Sequence, residues 1–250
     1  MTTPIRQIVD RCDSTNTLAR SLADSGAPHG SWVSARIQDK GRGRHGRSWG
    51  SIEGNLFLSL VVRIENPALW TWIPLVTGIA VTRFLRREFP GLLVQLKWPN
   101  DLRVSRSKLG GILCEGVLGR DAPFVIAGLG LNCIRAPEIV EQATTSLSHE
   151  WNSLHPLGKE IRADDIRSGI AEEILFVYSE LLQSGVTPLT REFEIYSELV
   201  PGTQIEWADV GSAETHHGEV LGLGVRGELR VQENKTEKFL TSEEVKLKLR

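Results

Sequence analysis

The chain has 250 residues, enough for one substantial core or a core with a small appended module. Its 29 Lys and Arg nearly balance 31 Asp and Glu, and a formal charge of −2 argues against broad nucleic-acid binding. Met1-Thr2-Thr3-Pro4-Ile5-Arg6 contains no signal-peptide-like apolar run, and no stretch is expected to approach membrane-spanning length. Cys12, Cys114 and Cys133 lack metal-type spacing, which predicts reduced thiols and a cytoplasmic setting.

In chain order, residues 5–9 predict a first strand, and Asp13-Ser14 a cap for a helix over 15–25. Leu18 and Leu22 mark one face of that helix and Gly26 stops it. Apolar runs at 32–37 and 56–62 flank a glycine- and arginine-rich segment, so that segment belongs inside a folded domain. A helix is expected over 75–89, closed by Pro90-Gly91. Residues 92–96 then predict a strand ending at Pro99, resumed by Leu102-Arg103-Val104. After the tight connection Ser105-Arg106-Ser107, another strand starts at Lys108 and reaches Val117. Residues 124–131 read as a buried strand. Ile166, Ile170, Ile174 and Leu181 mark a helix, and 188–199 holds one more. Beyond Pro201-Gly202, short strand-like runs near Ile205, Val220, Leu229, Phe239 and Val245 suit a small barrel. The chain thus divides into an α/β domain over 1–199 and a β module over 200–250.

Two stretches carry chemistry. From Arg36 to Trp49, five Lys or Arg side chains fall within fourteen residues, and glycines alternate with the arginines. Guanidinium groups match phosphate oxygens bidentately, and glycines let the backbone come close, so the loop points to a phosphate-bearing ligand. Gly41-x-Gly43-x-x-Gly46 formally fits a dinucleotide fingerprint, and Gly41 to Ser48 resembles a phosphate loop with Arg47 in place of lysine. Both motifs need a following helix, whereas residues 48–54 read as loop. An RNA-binding arginine-glycine segment is a third alternative, although such segments are longer and lie in disordered tails. The second stretch is Lys97-Trp98-Pro99-Asn100-Asp101 with Lys108-Leu109-Gly110-Gly111. The hairpin brings Asp101 and Lys108 to one end of the sheet, and paired glycines within a strand suggest a close-packed ligand or backbone.

Asp13-Ser14-Thr15-Asn16, the loop Gly41-Arg42-Gly43-Arg44-x-Gly46-Arg47-x-Trp49, and Asn55-Leu56-Phe57-Leu58-Ser59 are followed by three further motifs. These are Lys97-Trp98-Pro99-Asn100-Asp101, Lys108-Leu109-Gly110-Gly111-Ile112-Leu113 and Gly128-Leu129-Gly130-Leu131-Asn132. In order and spacing, across residues 13 to 132, the set resembles the biotin protein ligases. The resemblance implies a class II synthetase-like catalytic domain with a mixed sheet, followed by an SH3-like barrel. It also implies two reactions. Biotin and ATP form biotinyl-adenylate, with Mg²⁺ neutralising the triphosphate. A lysine of a biotin carboxyl carrier domain then displaces AMP.

Carried over residue by residue, the resemblance places Ser14, Thr15, Asn16, Gln38, Arg42, Gly43, Arg44, Lys108 and Gly111 around biotin. It places Arg42, Arg44, Arg47, Trp49, Asn100, Lys108 and Asn132 at the nucleotide, with Trp49 covering adenine. Lys108 would bridge the biotin carboxylate and the α-phosphate, Arg42 would counter charge beside it, and Asp101 would accept the proton of the incoming amine. Lys97 and Asn100 could touch phosphate or metal, or hold the hairpin. No metal ligands are identified, and Trp98 is assigned to packing. Relatives often have Gly before the Glu-Val of the barrel, whereas this chain reads Ser242-Glu243-Glu244-Val245, so no residue is carried over from 200–250. Lipoate ligases share the fold and the adenylation chemistry but usually lack the arginine loop. A nucleic-acid-binding module built from the loop and the barrel is the alternative of another class. Twelve residues precede Asp13, too few for the helix-turn-helix that some relatives carry, so operator DNA is not expected as a partner. Homodimerisation through an exposed sheet stays open.

Overall fold

The computed structural model describes residues 3–118, 123–139, 142–156, 158–209 and 214–241, with the backbone of 245–249. The tract Ser242-Glu243-Glu244 lies outside these residues. Seven strands form one mixed sheet: β1 (Arg6–Cys12), β2 (Trp32–Gln38), β3 (Leu56–Arg63), β4 (Gln95–Lys97), β5 (Asp101–Val104), β6 (Ser107–Val117) and β7 (Phe124–Leu131). Their spatial order is β1-β2-β3-β7-β6-β5-β4. Only β1 and β2 run parallel; the other neighbours are antiparallel. A parallel pair needs a crossover, which helix α1 (Thr15–Asp24) supplies.

The alternation along β3 sorts the sheet into two faces. Leu56, Leu58, Leu60 and Val62 join the main core, beneath α2 (Ile73–Glu88) and α4 (Ala163–Ser184). Val61 points the other way, into a smaller cluster with Val33, Phe124, Ile126, Ala19 and Ala23. Helix α1 therefore meets the sheet through its alanines, while the expected Leu18 and Leu22 pack at its flank. Small side chains at the contact let the helix lie close to the strands.

Three local expectations are revised. Strand β4 begins at Gln95, not Leu92, because the Arg86 guanidinium takes the Val94 carbonyl at 2.9 and 2.7 Å. A short helix α3 (Leu147–Leu154) was not foreseen; it has little apolar periodicity, and the Ser146 hydroxyl caps it by accepting from His149 N at 3.3 Å. Pro67–Glu88 does reach the length and apolarity of a membrane span, but 67% of its most apolar window is buried in the protein, as befits a core helix.

Helix α4 buries Ile166, Ile170, Ile174 and Leu181 as its periodicity predicted, and α5 (Val186–Tyr196) follows it. The C-terminal region is a five-stranded antiparallel sheet of β8 (Gln204–Asp209), β9 (His216–Leu223), β10 (Leu229–Glu233), β11 (Thr236–Leu240) and β12 (Val245–Leu249). Its order is β11-β10-β9-β8-β12. Ile205, Trp207, Val220 and Leu229 belong to the main core cluster. Two indoles tie the sheets together: Trp72 donates to the Val225 carbonyl at 2.9 Å and Trp98 to the Gly227 carbonyl at 3.0 Å. Trp98 is 2% exposed, a packing residue in the turn between β4 and β5 rather than on a strand.

Candidate active site

A cavity of about 140 Å³ opens on the α1 side of the sheet. One wall is the start of α1. Ser14 occupies the N-cap position in extended backbone, yet its hydroxyl makes no capping bond; it is buried and lines the cavity. The expected cap is therefore a backbone cap only. Thr15 donates to Gln38 Oε1 from its amide at 2.8 Å and from Oγ1 at 3.1 Å. Ser59 Oγ lies 2.8 Å from Thr15 Oγ1 and 2.6 Å from Asn16 Oδ1. Asn16 Nδ2 donates to Leu113 O at 3.2 Å and to Glu115 Oε2 at 2.6 Å. This wall offers hydroxyl and amide groups within a mostly buried setting.

The arginine loop forms the opposite wall. It is a narrow hairpin, with Gly43 N donating to Arg47 O at 2.7 Å and Trp49 N to Gly41 O at 2.8 Å. His45 (φ 54°) and Gly46 (φ 71°) turn its tip, and extended Arg47 follows. No helix opens at the third glycine, so neither the dinucleotide fingerprint nor the phosphate loop forms here. Gly41 cannot be replaced simply, because a Cβ there would stand 2.6 Å from the Trp49 carbonyl oxygen. Arg42, Gly43, Arg44, Arg47 and Trp49 all line the cavity. Arg42 pairs with Glu115 at 2.9 Å, and Arg44 donates to Asn100 Oδ1 at 3.1 Å. Arg47 Nε donates to Arg44 O at 3.3 Å, with the rest of the side chain exposed.

The floor comes from the β5–β6 hairpin and β7. Lys108 Nζ lies 2.6 Å from Asp101 Oδ1, with both side chains mostly buried. The ammonium also sits 5.5 Å from the centre of the Trp49 ring, within cation–π range. Its backbone is fixed from both sides: Lys108 N donates to Ala143 O at 2.8 Å, and Thr145 N to Lys108 O at 2.9 Å. Asn100 lines the cavity and also holds the hairpin, donating to Ile112 O at 2.8 Å. Gly111 and Gly130 are paired across β6 and β7 and lie beneath Trp49. A Cβ at Gly130 would approach the indole to 2.5 Å.

Two of the residues named from sequence stand behind the cavity. Asp101 reaches it only through Lys108. Asn132 is buried and donates to Thr145 O at 3.1 Å and Lys108 O at 3.5 Å, while its Oδ1 has no partner. Asn132 thus steadies Lys108 in this structure instead of facing the cavity where a nucleotide contact was expected. Lys97 is largely buried; desolvation, aided by Arg103, holds its ammonium pKa below the usual lysine value. Ser59 and Glu115 have no assigned role from sequence. Each interrupts an apolar run, Ser59 within Leu56–Val62 and Glu115 after Ile112-Leu113-Cys114, a pattern that becomes informative once the strand's face is known.

Among the described residues, no group of three His, Cys, Asp or Glu side chains could hold a metal ion. All three cysteines are free, and burial raises the thiols of Cys12, Cys114 and Cys133 above the ordinary value. Cys114, beside the cavity, is therefore a poor nucleophile.

The model for the biotin/lipoate A/B protein ligase family matches residues 8–132. The bifunctional ligase/repressor BirA of Bacillus subtilis is 31% identical over 95% of this chain and 72% of its own length. The biotin–[acetyl-CoA-carboxylase] ligase of Mycobacterium tuberculosis is 38% identical over 56% of this chain and 53% of its own. In fold, the biotin protein ligase of Aquifex aeolicus, solved with biotin and ATP, superposes with a TM-score of 0.79 at 24% identity. That match covers 99% of this chain and 100% of the other. The matched segment, residues 8–132, contains every strand that builds the cavity, and the chain belongs to the biotin/lipoate A/B protein ligase family.

Proposed function

We propose that this protein is a biotin protein ligase, using ATP to activate biotin and transferring it to a lysine of a biotin carboxyl carrier domain. The observation that carries the reading is the cavity's polarity: hydroxyl and amide groups of Ser14, Thr15, Asn16 and Gln38 on one wall, cations on the other. A ureido ring needs donors and acceptors together, which such a wall supplies. A dithiolane ring needs neither, so the same wall favours biotin over lipoate.

In the first reaction the biotin carboxylate oxygen attacks the α-phosphorus, and the bond to the pyrophosphate oxygen breaks. Two anions must meet, so preorganised cations at the developing charge lower the barrier. Lys108 lines the floor beneath Trp49, and Arg42, Arg44 and Arg47 line the cavity from the loop. Mg²⁺ would enter with the triphosphate, an ion that typically keeps its waters and binds substrate phosphates instead of an all-protein cage. In the second reaction the acceptor amine attacks the mixed-anhydride carbonyl and AMP departs. Asp101, paired with Lys108 behind the cavity, would take the proton by relay through the lysine amine. ATP as substrate and three free cysteines fit a cytoplasmic enzyme.

The test is incubation of the purified protein with MgATP and labelled biotin or lipoate, followed by separation of the adenylate. A carrier domain is then added. Biotinyl-adenylate and labelled carrier are expected; lipoyl-adenylate alone, or no adenylate, would refute the assignment.

A further inference from the structure

One hydrogen-bonded circuit joins the polar wall of the cavity to the arginine loop. It runs from Gln38 Oε1 to Thr15, from Thr15 through Ser59 Oγ to Asn16, and from Asn16 Nδ2 to Glu115 Oε2. The same carboxylate oxygen accepts from Arg42 at 2.9 Å. Gln38 ends β2 immediately before the loop and Arg42 lies within it, so the circuit closes on itself four residues from its start. Glu115 sits on β6, where it is paired with Ile126 of β7, and supplies the sole bond in this circuit between the wall and Arg42. Gly128 makes the arrangement feasible, because a Cβ there would strike Asn16 Oδ1 at 2.1 Å.

We propose that Glu115 is a positioning residue: a latch that docks Arg42 over the cavity and couples occupancy of the biotin pocket to closure of the arginine loop. The ligand named here rests on the proposed function; the latch itself does not. A group that engages Thr15 and Asn16, which line the cavity, tightens the hold on Glu115, and Glu115 in turn presents Arg42 to the ligand's anionic end. The two bonds at Oε2 are charge-assisted, and the pair with Arg42 is partly solvated, so the coupling is moderate.

Glu115→Gln tests the charge while keeping an acceptor for Asn16; Glu115→Ala removes both. Without ligand, trypsin should cut after Arg42, Arg44 or Arg47 about three- to tenfold faster in Glu115→Gln than in the parent, read by mass spectrometry. With biotin and MgATP, the parent's loop should be protected and the variant's should not. Release of biotinyl-adenylate should quicken about three- to tenfold, with KM for biotin raised and kcat little changed. Equal nicking and equal release would overturn the latch. So would a Glu115→Gln protein that behaves as the parent while only Glu115→Ala loosens, since the carboxylate would then merely support Asn16. If Glu115→Ala fails to fold, the isosteric Gln variant still decides. If the parent binds no biotin, the proposed function falls, and the ligand-free nicking rates still judge the latch.

Discussion

Lys108 and Asp101 form a contact that bears on both half-reactions, and substituting each in turn should separate them. Their charged atoms are 2.6 Å apart, with side chains 11% and 16% exposed. At an effective dielectric near 20, direct attraction across that distance is about 6 kcal/mol before desolvation is subtracted. Lys108 is therefore held in place, and the carboxylate and α-phosphate of the substrates must share an ammonium already engaged by Asp101. Lys108→Gln removes the cation from the first transition state and should slow adenylation by ~10²–10³-fold, about 3–4 kcal/mol. Asp101→Asn leaves the cation and relieves its competitor, so adenylation should survive. Transfer should fall by ~10²–10⁴-fold, the usual range for a lost general base. Pyrophosphate release measures the first step, and carrier labelling from preformed biotinyl-adenylate measures the second. If preformed adenylate restores transfer by Asp101→Asn to the parent rate, the carboxylate is not the base. If Lys108→Gln leaves adenylation unslowed, the lysine does not serve the first step.

Three other outcomes are expected. Gly130→Ala places a methyl within 2.5 Å of the Trp49 ring, so the indole must move; KM for ATP should rise and tryptophan emission shift, with the melting temperature nearly kept. Ser59→Ala strips a partner from the buried Thr15 hydroxyl and Asn16 amide oxygen, and chemical denaturation should show a loss of about 1–3 kcal/mol. In alkylation followed by mass spectrometry at pH 8, Cys114 and Cys133 should resist labelling until the protein is unfolded. Their pKa values are raised, Cys133 to about 12, so the thiolate is scarce below that pH and appears only as pH climbs toward it; rapid native labelling would contradict the burial.

The elements most legible in sequence are those whose apolar pattern is long. Strand β7 was expected at its observed bounds, and the four residues marking α4 are all buried. The Asp101–Lys108 pair was legible only as two residues of one hairpin: register sets Asp101 opposite Gly111 and Lys108 opposite Arg103, and the long lysine side chain reaches along the strands to close the pair. Other features depended on tertiary partners. The late start of β4 is caused by Arg86 reaching over from α2, and the inward position of Asn132 by a carbonyl thirteen residues away at Thr145. Neither partner is implied by local propensity. Glu115 was overlooked for a related reason: a single carboxylate after an apolar run reads as a solvent-facing position until its neighbours across the sheet are known.

Register supplies the missing step, and it accounts for where the cavity lies. Pairing of β6 with β7 sets Gly111 opposite Gly130 and Leu113 opposite Gly128, while β3 sets Ser59 opposite Gly128. Paired residues in antiparallel strands present their side chains to the same face, so the glycines leave a strip without side chains on the face that α1 only partly covers. Trp49 occupies the space over Gly111 and Gly130, and Asn16 the space over Gly128. A Cβ at Gly130 or Gly128 would collide with those residues, at 2.5 and 2.1 Å. Moved one residue along β7, the same glycines would face the main core, where Val125, Ala127 and Leu129 now pack. Gly128 and Gly130 are thus the reason that an arginine loop and a polar helix start can meet over one sheet.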